Sequence, residues 1–135
     1  MGAHPPIYEE LLDGPFPCTL NSLDANGSPY GVVVWCGRIG EAVGVNAAEG
    51  VWLRNLRRDP RASLVIVDTR NILRHVSITG RASEISLDER YAHINALSEV
   101  YEGRPYAYST PEDVPRFRVE IEVLKVRTLD LAPPA

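Results

Sequence analysis

The chain has 135 residues, 44% of them hydrophobic, with 14 basic against 18 acidic side chains and a formal net charge of −4. That length fits one domain of about 100–150 residues, and intermixed charge beside this apolar share predicts a packed core rather than disorder. No basic excess exists to release phosphate counterions, which argues against bulk nucleic-acid binding, and the longest apolar runs, such as Gly31-Val32-Val33-Val34-Trp35-Cys36, are far too short to cross a bilayer.

The N-terminal stretch carries Glu9, Glu10 and Asp13 and lacks the layout of a signal peptide. Residues 7–12, behind Pro5-Pro6, read as a short helix closed by Asp13-Gly14-Pro15. Residues 17–23 alternate as a strand and run into Asp24-Ala25-Asn26-Gly27, a hairpin signal that leads to a second strand over 30–38. The unbroken apolar character of that strand predicts burial on both faces. Cys18 and Cys36 show neither a CxxC nor a metal spacing, so buried free thiols in a reducing compartment are expected, with a disulfide as the alternative. The expected location is the cytoplasm.

Gly37 and Gly40 bracket the next turn, and 42–46 is a third strand. The segment 50–58, GVWLRNLRR, is a short helix stopped by Asp59-Pro60. Residues 61–67 form a β-run, Asp68-Thr69-Arg70-Asn71 a polar turn, and 72–85 a long alternating strand. Ser86-Leu87-Asp88-Glu89 starts a helix on which Ile94, Leu97 and Tyr101 recur, to about residue 102. A loop with three prolines spans 103–115, and the last strand alternates over 117–129. Six strands interrupted by short helices predict a mainly β chain, a small barrel in a single domain.

The helix 50–58 admits two roles. It is either an anion site built on Arg54, Arg57 and Arg58, or an amphipathic element with Val51, Leu53 and Leu56 inward and its last arginines complementing the helix dipole. Arg74 and His75 lie on an alternating strand, so one of them points inward, and His75 reads as a structural hydrogen-bonding group. His4 reads as terminal and His93 as helix surface, with no partner spacing for a metal. Ser77, Ser83 and Ser98 sit in no nucleophile elbow. Tyr101, Tyr106 and Tyr108, with Arg104, form an aromatic loop that either packs on its own rings or covers a groove. With no triad, paired acids or metal cluster, no catalytic side chain is assigned.

The stretch Arg54-Asn55-Leu56-Arg57-Arg58-Asp59-Pro60-Arg61-Ala62-Ser63-Leu64 is the most specific feature. Together with Asn71-Ile72-Leu73-Arg74-His75-Val76 and Gly80-Arg81-Ala82, it resembles the split β-barrel flavin and deazaflavin reductases of the pyridoxamine 5′-phosphate oxidase-like superfamily. The resemblance covers roughly residues 5–129. It implies a six-stranded split barrel and a homodimer with cofactor sites in grooves between subunits. It also implies hydride transfer to or from a small organic substrate by the deazaflavin coenzyme F420, with FMN as the alternative cofactor.

By the same resemblance, Val33, Val34 and Trp35 fall where the cofactor ring is lined. Asn46, Ala47 and Ala48 fall in the loop around its tail, and Arg54 falls on the following helix. Leu73 and Arg74 lie where the second subunit closes the site. Trp52 stands where the family usually has lysine and Ala47 where it has threonine or serine, so two side-chain donors to a phosphate are replaced. Two roles are open to Trp52, stacking on a planar ring or shielding the groove. A ring that carries the hydride needs no acid–base constellation from the protein. The same features therefore admit a second function, a non-catalytic split barrel that binds a small planar or apolar ligand.

Overall fold

The computed structural model describes residues 4–132. Helix α1 (Pro6–Asp13) precedes strands β1 (Cys18–Leu23), β2 (Pro29–Val34), β3 (Cys36–Ile39) and β4 (Ala42–Ala48). Helix α2 (Val51–Arg58) leads to β5 (Arg61–Val67) and β6 (Arg74–Leu87). A short helical turn (Glu89–Tyr91), α3 (Ala92–Glu102) and β7 (Arg116–Asp130) complete the chain. Seven strands form one antiparallel sheet in the order β2-β1-β5-β6-β7-β4-β3.

The expected six strands become seven because the run 30–38 breaks at Trp35. The break organises the whole sheet. β2 and β3 stand at opposite ends of the strand order, yet they are separated in the chain by Trp35 alone. The corner at Trp35 therefore brings the two ends of the sheet together, which is how a sheet curls into a barrel without a long free edge. Expected burial of this run on both faces is also overturned. β2 alternates between exposed and half-buried positions, with Val33 72% exposed, because it pairs with β1 on one side only. The strand enclosed on both faces is β4, where Val43 to Ala47 are all buried between β3 and β7.

The first hairpin forms where Asn26-Gly27 predicts it. Gly27 N–H donates to the Asp24 carbonyl at 2.8 Å, and Gly27 takes φ +86°, which a side chain would strain. Leu20, Val43, Val45, Leu64, Ile66, Val76, Ile78, Val119 and Ile121 point inward from five strands and form one core. α1 adds Ile7, Tyr8, Leu11 and Leu12, and α2 adds Leu53 and Leu56. β6 and β7 cross this core as the longest strands, with register shifts at Thr79/Gly80 and Ala82/Glu84. At the first shift a Cβ on Gly80 would lie 2.5 Å from the Glu122 carbonyl oxygen, so only glycine permits that approach.

A second, smaller core lies under α3: Tyr91, Ile94 and Leu97, with Trp35 and Tyr106 against them. Tyr101, on the same helix, pins the corner. Its ring stacks on Trp35 at 5.4 Å, and its hydroxyl accepts from Cys36 N–H at 3.1 Å and donates to the Phe16 carbonyl at 2.8 Å. Burial holds this phenol well above its ordinary pKa, so it stays a donor. Cys18 and Cys36 lie beside it as free, buried thiols. Removing the hydroxyl in Tyr101→Phe leaves two buried backbone groups without that partner and should cost about 1–3 kcal/mol. Urea unfolding checks this: the midpoint should fall while the m-value stays constant.

Candidate functional site

The corner, the end of β4 and the start of α2 meet around one cavity of about 520 Å³, within the usual range for small-molecule sites. Val33, Val34, Trp35, Asn46, Ala47, Ala48 and Trp52, all singled out from the sequence, line it. They share it with Glu49, Gly50, Ile94, Leu97, Tyr106, Tyr108 and Arg116. Arg54, Leu73 and Arg74 are not among the lining residues.

The α2 arginines divide by partner. Arg57 grips both oxygens of Glu49 at 2.8 Å and lies over the Phe117 ring. Arg58 donates to the Leu23 carbonyl at 2.7 Å and to Asn55 Oδ1 at 2.8 Å. Asn55 is buried and donates to Ser22 Oγ and Asp24 Oδ1, so it fastens α2 to the first hairpin. Arg54 is exposed and makes no side-chain hydrogen bond or ion pair among the described residues. Val51, expected inward, is 41% exposed, and Asn55 takes the inner position instead.

Arg74 is committed elsewhere. Its guanidinium bridges Asp68 Oδ2 at 2.7 Å, Asp130 Oδ1 at 2.8 Å and both oxygens of Glu10, tying α1 to the β5–β6 turn and to β7. Leu73 is half exposed beside Ile72, while His75 Nδ1 lies 2.9 Å from the Ile72 carbonyl. Of Arg74 and His75, then, the arginine is the structural anchor.

Asn46 is the best-connected polar group of the cavity wall. Its Oδ1 accepts from Arg116 Nε at 2.7 Å, and arginine only donates, so the amide orientation is fixed. Nδ2 therefore points to Asp88 Oδ2 at 3.0 Å and His93 Nδ1 at 2.9 Å. Asp88 also accepts from the backbone N–H groups of His93 and Ile94, capping α3. His93, expected on the helix surface, is instead half-buried against β4. Both amide donors of Asn46 are thus taken.

The roof of the cavity comes from 103–115. Tyr91, in the left-handed region with φ 61°, sends its hydroxyl to Ser109 and to the Thr110 and Val114 carbonyls. Asn95 Oδ1 accepts from Tyr106 N–H at 2.9 Å, and Tyr108 donates to Glu102 at 2.6 Å. Tyr106 then stands edge-on to Trp35, Tyr91 and Tyr108. Of the three tyrosines grouped by sequence, two line the cavity and Tyr101 serves the corner. Arg116 escapes sequence reading because its neighbour Ala48 is brought to it by the β4–β7 register, from far along the chain. Among the described residues no group of three or more His, Cys, Asp or Glu is placed to hold a metal, and no helix is long and apolar enough to cross a membrane.

His93 gives the site a pH signature. Burial pushes its imidazole below the ordinary value, against the nearby Asp88 carboxylate, with Arg118 adding to the lowering. The folded state thus favours neutral His93, which accepts from Asn46, while the unfolded chain takes up a proton near pH ~6.5. This contribution is complete above ~6.5 and is lost as pH falls through that value toward the folded pKa. Unfolding free energy should therefore decline on acidification in this window, at no more than about 1.4 kcal/mol per pH unit from this residue. His93→Gln should flatten that part of the profile, measured by urea unfolding at stepped pH; an unchanged profile refutes the assignment.

The sequence matches the pyridoxamine 5′-phosphate oxidase family over residues 5–130. No curated protein matches it significantly. Among solved structures, an F420 reductase superposes with a TM-score of 0.82 at 21% identity, covering 92% of this chain and 98% of that one. A conserved hypothetical protein from Mycobacterium tuberculosis gives 0.75 at 23% identity, over 96% and 86% of the two chains. General Stress Protein 26 from Bacillus anthracis gives 0.68 at 12% identity, over 91% of each. At such identities the structural likeness is one of fold. With the family match spanning nearly the whole chain and a single antiparallel sheet to go with it, this chain belongs to the pyridoxamine 5′-phosphate oxidase-like split barrels.

Proposed function

We propose that the protein is an oxidoreductase that holds the deazaflavin coenzyme F420, or alternatively FMN, in this cavity and passes a hydride to or from a small organic substrate. The observation that carries the reading is the convergence of Val33, Val34, Trp35, Ala47, Ala48 and Trp52 on one cavity of about 520 Å³. The fold shared with an F420 reductase supports it. Residues fit the ring well: the walls are aliphatic and aromatic, and Trp35 is fixed between Tyr101 and Tyr106. A bound ring supplies the hydride chemistry. The protein's part is to orient that ring with Trp35 and the β4 backbone, to exclude water with Tyr106 and Tyr108, and to meet its charged tail. Arg54, next to the cavity in sequence and without a side-chain partner among the described residues, is available for the tail.

The cavity of one chain is half of the site in this reading. Val33 at 72% and Ile72 at 70% exposure leave apolar side chains on β2 and at the β5–β6 turn that a second copy would cover. Leu73 and Arg74 then close the partner's cavity rather than their own. A single-domain, cytoplasmic homodimer completes the proposal. One observation favours the second function, a non-catalytic barrel for a small planar or apolar ligand: Trp52 and Ala47 offer no charged side-chain donor to a phosphate.

Light scattering at micromolar concentration should report a dimer; a stable monomer removes the shared-site arrangement. Titration with F420 and with FMN, followed by quenching of Trp35 and Trp52, should show saturable binding of one of them. Trp52→Lys should tighten that binding roughly tenfold, the worth of one charged hydrogen bond. Binding of neither cofactor by the parent chain or the variant would make the non-catalytic reading the correct one.

A further inference from the structure

Arg116 is a cation built into the cavity wall whose described polar partners are all neutral. Of the five N–H donors on a guanidinium, one on Nε goes to Asn46 Oδ1 at 2.7 Å and one on Nη1 to the Tyr106 hydroxyl at 3.3 Å. The Nη2 amino group has no described partner. The guanidinium lies over the Tyr106 ring at 5.0 Å, and Asn46 is itself braced by Asp88, so the plane of the fork is fixed from two sides. The carboxylate lining the cavity, Glu49, has both oxygens on Arg57. The cavity therefore presents one oriented positive fork beside an aromatic wall made by Tyr106 and Trp35, which meet edge to face at 6.1 Å.

From this geometry we infer that Arg116 is the anion-recognition residue of the cavity, and that the molecule bound there is a planar, unsaturated compound carrying a carboxylate or phosphate next to its ring. A fixed guanidinium edge suits such groups, which accept two parallel N–H bonds. The ring of the ligand covers Trp35 and Tyr106 while its anionic group meets Nη2. The arrangement also supplies a charged donor inside the cavity, at the start of β7, where Trp52 and Ala47 supply none. The inference rests on the cavity being the ligand site, and it holds whether or not the ligand is a redox cofactor.

The test uses the full-length chain without added cofactor and three probes of one shape: benzoate, phenyl phosphate and neutral benzamide. Binding is read by ligand-observed NMR. At least one anion should bind roughly tenfold or more tightly than benzamide, the expected effect of a charge-assisted hydrogen bond, and the stronger of the two identifies carboxylate or phosphate as the natural group. Arg116→Gln should bring all three probes to the same affinity. Arg118→Gln, an equal loss of charge on a side chain that pairs with Glu120 at 3.4 Å outside this cavity, should leave the preference intact. In the unsubstituted protein the Arg116 Nε–Hε resonance should shift on addition of the preferred anion and stay still with benzamide, a readout that needs no variant to fold. No anion preference in the parent, a preference that survives Arg116→Gln, equal loss in Arg118→Gln, or an unmoved Nε–Hε resonance each overturns the inference. Because no cofactor is present, its failure is separate from failure to bind F420 or FMN.

Discussion

The hydroxyl of Tyr101 holds the corner on which the rest of the molecule depends. A sheet whose first and last strands are neighbours in sequence can close only if the chain turns sharply between them, and here that turn has a single residue, Trp35. Past that turn the chain leaves the ladder with β1, and Cys36 pairs with β4 while its N–H goes to a side chain. Tyr101 accepts that N–H, and its own proton goes to Phe16, on the segment leading into β1. One phenol thereby joins α3, the corner and the segment before β1. The stacked Trp35 ring is held in place by the same side chain, so the cavity wall and the closure of the barrel share one fastening.

A second fastening orders the polar side of the cavity. Asp88, Asn46 and Arg116 come from β6's end, β4 and β7, and each is oriented by the next. Asp88 caps α3 through two backbone N–H groups and still has Asn46 to orient. Buried polar groups of this kind are costly unless every donor and acceptor is met, and here the amide of Asn46 is met on both sides. The consequence is a rigid guanidinium at the rim of an otherwise apolar and aromatic space. His93 joins the same amide, which makes the order of this side sensitive to acid.

α2 shows how three similar residues acquire different work. Arg57, Arg58 and Arg54 lie within two turns of one helix, yet Glu49 neutralises the first and the hairpin loop engages the second. Both reinforce the amphipathic reading of the segment. Arg54 keeps its charge in solvent. Arg74, placed by resemblance where a second subunit closes the groove, is held within its own chain by a three-carboxylate clamp that fixes α1 against the sheet.

Local patterns determined much of this protein from sequence alone. Alternation located the long strands β6 and β7, a β-rich run located β5, Asn26-Gly27 located the first hairpin, Asp59-Pro60 stopped α2, and helical spacing of Ile94, Leu97 and Tyr101 located α3. Each is a short-range signal, written in residues that are neighbours along the chain. The aliphatic and aromatic lining around Val33 to Trp35 and Asn46 to Ala48 was legible too, through resemblance of local motifs. Tertiary structure decided what depends on distant pairing: the break at Trp35, the burial of β4 in place of β2, the attachment of His93 to Asn46, and the presence of Arg116 in the cavity. Apolar runs at an edge and at a centre read alike, because burial depends on which strands flank them. An arginine's role, likewise, is set by the groups within reach: Asp130 and Glu10 meet Arg74, and Asn46 meets Arg116, only when segments far apart in sequence come together.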